Sequence, residues 1–163
     1  MKRTITILLL AVLAMFCQIT TASADTSTPA VQTLPDGSTV YLFSDGSKLT
    51  VSAVRSVAEE KGVMTNTSGS KDMTFTNSDN VVEWKYTLHA TFSYTYGVSS
   101  SCTSAYYTQN IYQGNWSFSN GSATKSGNTA HGVGTFEKRV LFIVINTVDV
   151  DLHIYCDKYG VVS

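Results

Sequence analysis

The sequence predicts an all-β fold, a single antiparallel β-sandwich with an open barrel as the second choice, and three observations carry that prediction. From Gly37 onward the chain has no proline and is crowded with Thr, Ser, Tyr, Val and Phe, residues that fit a pleated surface. Asp-Gly, Asn-Gly and Gly-Asn pairs punctuate it at short intervals, which is turn chemistry, and no long helical period competes. Val82–Tyr94 alternates strictly, with Val82, Trp84, Tyr86, Leu88, Ala90, Phe92 and Tyr94 on one face and Glu83, Lys85, Thr87, His89, Thr91 and Ser93 on the other. That is the pattern of a long, half-buried strand.

Met1–Arg3 is a short basic start and Ile5–Phe16 an apolar stretch too short to span a bilayer comfortably. Ala22-Ser23-Ala24 offers the small residues a signal peptidase requires before Asp25. Residues 1–24 are therefore expected to be a cleaved secretory signal, and the mature product to be soluble and extracellular. Cys17 follows Met15-Phe16 rather than small residues, so it belongs to the discarded segment and not to a lipid anchor. Residues 25–36, rich in Thr and Ser and holding both prolines, read as a flexible leader. Asp45-Gly46, between Thr39–Phe43 and Lys48–Val54, fits the two-residue turn of an opening hairpin. Arg55–Gly62 has a brief helical character and Gly62–Ser70 reads as a polar linker. Residues 37–62 are thus an N-terminal hairpin with a short linker, loosely attached, and residues 63–163 the sandwich.

Cys102–Tyr112, Trp116–Ser119, Ala123–Lys125 and Thr129–Lys138 supply further strands. Val140–Ile145 is apolar without interruption and is expected as a strand buried on both sides, because an exposed run of this kind is an aggregation hazard. In the last strand Val148, Val150, Leu152, Ile154 and Cys156 share the buried face, and Thr147, Asp149, Asp151, His153 and Tyr155 the other. The expected core is Trp84, Leu88, Phe92, Val150, Leu152 and Ile154, with Glu83, His89, Asp149 and Asp151 solvated.

The formal net charge of −1 includes Lys2 and Arg3 of the signal, so the mature chain carries about −3 and has no basic stripe. An electrostatic grip on nucleic acid or anionic lipid is excluded on that ground, and with no second apolar segment of spanning length no stable membrane insertion is expected. Cys102 and Cys156 survive cleavage, an even count in a secreted chain, and the buried phase of Cys156 agrees with a Cys102–Cys156 bridge.

Asp149, Asp151 and His153 lie on one strand face and could converge on a cation, with His89 the attractive neighbour. Three side chains on one strand are rarely enough, and the face reads as solvated, with no metal and no cofactor. The strings Ser68-Gly69-Ser70-Lys71 and Ser122-Ala123-Thr124-Lys125 fall in turn-and-strand sequence, whereas that motif works on a helical turn. No Gly-x-Ser-x-Gly, His-Glu-x-x-His or glycine-rich phosphate loop is present, and no catalytic residue is assigned. Tyr106, Tyr107, Tyr112 and Trp116, with Phe118, crowd one region and form the candidate binding surface, since rings on a flat β-face stack on sugars or pack against proteins.

The order Trp84-Lys85-Tyr86-Thr87-Leu88, Phe92-Ser93-Tyr94, Ser100-Ser101-Cys102-Thr103-Ser104-Ala105, Trp116, Lys125-Ser126-Gly127-Asn128-Thr129-Ala130 and Tyr155-Cys156, then Gly160 and Ser163, resembles a family of small secreted proteins from Gram-positive bacteria, notably clostridia. The resemblance spans about Lys71–Ser163. It implies bacterial secretion, one β-domain and a paired Cys102–Cys156, and transfers no catalytic residue. The expected function is a secreted, non-enzymatic β-domain interacting with an envelope component, a glycan or a protein at the cell surface. A small extracellular hydrolase using His89, His153 and nearby acids is the alternative, and a secreted inhibitor or toxin the third reading.

Overall fold

Strand follows strand from Ala30 to Tyr155 in the computed structural model, which describes residues 28–58 and 64–163; residues 1–24, expected as a secretory signal, lie outside the described residues. The strands are β1 (Ala30–Thr33), β2 (Thr39–Leu42), β3 (Lys48–Val51), β4 (Arg55–Ala58), β5 (Thr65–Thr76), β6 (Val82–Thr95), β7 (Ser99–Ile111), β8 (Trp116–Ser126), β9 (Thr129–Val140) and β10 (Ile143–Tyr155). They form two antiparallel sheets that do not close into a barrel, consistent with a sandwich. The larger runs β1-β2-β3-β5-β6-β7 and the smaller β10-β9-β8. β4 lies beyond β3 on the same edge of β5: β3 pairs with Met73–Thr76 and β4 with Thr67–Ser70.

The core forms where the alternating faces of β6, β9 and β10 meet. Trp84, Leu88, Phe92, Val150, Leu152 and Ile154 are all buried, as their phase requires. Trp84 stacks flat on Phe136 with ring centroids 3.9 Å apart, and Trp116 meets Phe75 edge-on at 5.3 Å. Gly132 makes room for the next ring, because a Cβ there would stand 2.7 Å from the Tyr86 hydroxyl. Burial pushes that phenol up to about 12, so it stays protonated across the neutral range.

Four connections repeat one geometry. In Leu34–Ser38, Phe43–Ser47, Asn77–Val81 and Asp157–Val161 the first N–H donates to the fifth carbonyl, and the fourth N–H donates back to the first carbonyl. The fourth residue then sits at positive φ, 81° at Gly37, 82° at Gly46, 62° at Asn80 and 82° at Gly160. This is a type I turn closed by a left-handed bulge residue. Asp45-Gly46 therefore ends a three-residue loop rather than forming the expected two-residue turn. Asp45 also accepts from the Ser47 N–H at 2.8 Å, an Asx contact that helps set the loop.

Other readings change. Ala30–Thr33, read as leader, pairs with β2, and the opening hairpin is continuous with the larger sheet through β3 and β5. Arg55–Ala58 is strand rather than helix-like. Thr65–Ser70, read as linker, is the first half of β5, with Thr65, Thr67 and Gly69 buried. At Gly69 a side chain has no space: a Cβ there would lie 2.6 Å from Val162 Cγ1. Glu83, expected in solvent, is 4% exposed. The β5–β6 register shifts between Phe75↔Trp84 and Thr76↔Val82, so Glu83 is the extra residue of a β-bulge, a device that re-aims a side chain.

Candidate functional site

The least expected surface is built by Val140–Ile145. β9 ends at Val140 and β10 begins at Ile143, with Val140↔Ile143 and Arg139↔Val144 paired, so Leu141-Phe142 is the turn of a hairpin. The run is not a strand buried on both sides. All six residues are exposed, Leu141 at 88% and Phe142 at 97%. The reason is length: the flanking segments pair with each other along nearly their whole extent, which leaves the run only enough chain to turn back. Leu141 sits at φ 56°, a left-handed conformation that γ-branched Leu adopts at a cost and that Gly or Asn would adopt easily.

The base of this hairpin is anchored. Lys138 Nζ donates to Glu83 Oε1 at 3.0 Å and to Oε2 at 3.1 Å, while Trp116 Nε1 donates to Glu83 Oε2 at 2.8 Å. The Arg139 N–H donates to Asn115 O at 2.8 Å, and Arg139 also pairs with Glu137. Tyr112, whose N–H donates to Glu83 O, brings a further exposed ring to this end, and Val81 and Val82 beside Glu83 are exposed too. The geometry is a rigid stem of satisfied polar groups ending in an apolar tip.

The four aromatic residues of the candidate binding surface do not assemble into one strip. Trp116 is buried against the core, and Tyr107 stacks on Tyr86 with centroids 5.3 Å apart. Tyr112 is exposed near the tip, and Tyr106 faces outward from the larger sheet, stacked on His89 at 4.6 Å. That pair, with Arg55, Ser68, Ser70 and Thr91, lines an open cleft of ≈ 340 Å³. Burial lowers the His89 pKa, with the Asp72 charge opposing and Lys85 reinforcing it, so the ring is neutral at pH 7.

His89 thus belongs to the outer face of the larger sheet and His153 to the smaller sheet, and they share no site. Asp149 is taken up by Thr135, whose hydroxyl donates to it at 2.9 Å. What the fold brings beside Asp151 and His153 is His131 of β9, a residue sequence reasoning missed: His131 and His153 are directly opposed across the β9–β10 ladder. Counting outward from the Leu141-Phe142 turn, with one bulge residue, would have found the pair.

Cys102 and Cys156 are buried free thiols, donating to Ser104 O at 3.3 Å and Asp157 O at 3.4 Å, so the expected bridge is not formed in this structure. The chain nevertheless gathers them at one turn: the Cys102 N–H donates to Gly127 O and the Cys156 N–H to Asn128 O. Burial, then Asp157 and Cys102, push the Cys156 thiol up to about 11. No protein-family model, no curated protein and no solved structure matches the chain. Among the described residues, no helix is long and apolar enough to cross a membrane.

Proposed function

We propose that this chain is a secreted, non-enzymatic β-sandwich that attaches to an envelope component, and that this component is a lipid surface engaged by the Val140–Ile145 tip. The observation that carries the reading is an apolar turn kept at full exposure with Leu141 in a backbone conformation it disfavours. A strand that docks on a protein presents one apolar face; here both faces and the turn are apolar, which suits immersion in a uniform apolar medium. The backbone beyond the Arg139↔Val144 pair reaches about 7 Å, the depth of interfacial seating rather than of a membrane span. Each large apolar side chain transferred in full contributes about 1.5–3 kcal/mol, so Leu141, Phe142 and Ile143 together suffice for reversible attachment.

Co-sedimentation with phosphatidylcholine vesicles, with and without phosphatidylglycerol, tests this. Wild type should pellet with both and resist added salt, because the basic residues at the stem already hold Glu83 and Glu137. The Leu141→Asn/Phe142→Gly variant should remain in the supernatant. Retained binding by that variant would overturn the reading, and loss of self-association in it would make a second copy the occupant instead. A glycan is the second reading, favoured by the Tyr106–His89 stack and Arg55 around one cleft. It requires that Tyr106→Ala lose retention on a glycan array.

Export would expose both thiols to oxidising surroundings, and we propose a Cys102–Cys156 bridge there, supported by their attachment to adjacent carbonyls of the β8–β9 turn.

A further inference from the structure

We infer that His131, Asp151 and His153 form a surface site for a borderline divalent transition-metal ion, for which Zn²⁺ is the probe. The three donors converge on one point of the outer face of the smaller sheet. His131 Nε2 lies 2.9 Å from Asp151 Oδ1 and His153 Nδ1 lies 3.4 Å from the same oxygen, and the ligand atoms of all three residues fall within 4.8 Å of one another. A tetrahedral ion with bonds of about 2.1 Å needs neighbouring donors roughly 3.4 Å apart, so side-chain rotation without backbone movement brings this set to coordination distance.

The backbone frame is fixed by the ladder, where His131 and His153 are directly opposed on paired strands. Their rings stack with centroids 4.2 Å apart and planes 9° from parallel, and because an imidazole binds a metal in its own ring plane, binding requires the two rings to tilt out of this stack toward the ion. Asp151 is diagonal to His131, opposite Val133, and reaches across the ladder. Two imidazoles and one carboxylate select Zn²⁺ or Cu²⁺ over Mg²⁺ and Ca²⁺, which prefer all-oxygen sets. With three protein ligands on an open sheet face, the remaining position points to solvent and is free for water or for a donor from a partner molecule. The site lies on the outer face of the smaller sheet and is independent of the apolar tip.

Isothermal titration of the mature chain with Zn²⁺ tests the inference, with His131→Ala, His153→Ala and Asp151→Asn as variants and circular dichroism as the folding control. All three residues are partly or fully exposed, so the variants keep the fold. Wild type should bind a single Zn²⁺ reversibly by chelator, Mg²⁺ should give no saturable heat, and each His variant should bind at least about ten-fold more weakly. Zn²⁺ binding that survives both His variants, as coordination by Cys102 and Cys156 would, overturns the assignment. So does a wild-type chain that takes up no Zn²⁺.

Discussion

Glu83 explains how one residue escapes a correct pattern. Alternation along β6 assigns it to the polar face, and the bulge that removes it from that face is a register event between two strands, invisible in either one alone. Once turned inward it holds Lys138 and the Trp116 indole, so Glu83→Gln should cost about 2–3 kcal/mol in a urea titration, less than a fully buried pair because Lys138 keeps partial contact with water. Asp151→Ala, on an exposed face, should change stability by no more than about 0.5 kcal/mol, whereas Leu152→Ala in the core should cost about 2–5 kcal/mol. The thiols add a kinetic expectation. With Cys156 held up to about 11, the reactive thiolate is scarce near neutral pH, so the folded, reduced protein should react slowly with thiol reagents and faster as pH rises. Protein folded under oxidising conditions should instead yield one linked Cys102–Cys156 pair on non-reducing peptide mapping, closing a loop worth roughly 4 kcal/mol. Two free thiols in secreted material would remove the bridge.

At the scale of the element, the β9–β10 hairpin sets stability against exposure. Asn would relieve the positive φ at Leu141, so Leu141→Asn should gain about 1 kcal/mol in a urea titration, while Leu141→Asn/Phe142→Gly loses vesicle binding. Stability and attachment moving in opposite directions would be hard to explain by a merely structural turn; a variant that is destabilised would mean the tip packs on something within the chain. Hydropathy alone sends an apolar run to the interior, which is why the tip was illegible in the sequence although the alternating strands on either side were clear. β5 failed for the converse reason. Its inward positions Thr65, Thr67 and Gly69 carry no hydrophobic signal, and at Gly69 Val54 and Val162 fill the space a side chain would take. The strands with large apolar residues at every second position, β6 and the C-terminal half of β10, were readable to within a residue or two. His131 was missed as a site residue because its partner is set by hairpin register, and reading Val140–Ile145 as a buried strand hid the turn from which that register is counted.

For the molecule as a whole, the continuity of the larger sheet decides how it unfolds. β1–β3 are hydrogen-bonded into the sheet through β5, Leu49 belongs to the buried core, and Ser52 exchanges hydrogen bonds with the Asp72 backbone on β5. The N-terminal strands therefore should not melt as a separate unit. Asp72 couples this edge to pH: burial alone would raise its pKa, but the Lys85 ammonium at 2.8 Å and the Thr87 hydroxyl at 2.7 Å outweigh it and hold the carboxyl below its ordinary value. A depressed folded pKa means that the ionised group contributes fully above about pH 4 and that its contribution disappears as pH falls through the lower folded value. Asp72→Asn should accordingly be less stable than wild type at pH 6, and the difference should shrink steadily below pH 4. Tryptophan fluorescence, reporting Trp84 and Trp116, and far-ultraviolet circular dichroism, reporting both sheets, should give coincident urea transitions at pH 6. Two separated transitions, the earlier one abolished by deleting residues 28–51, would show instead that the opening strands form an independent unit hung on the edge of the sandwich.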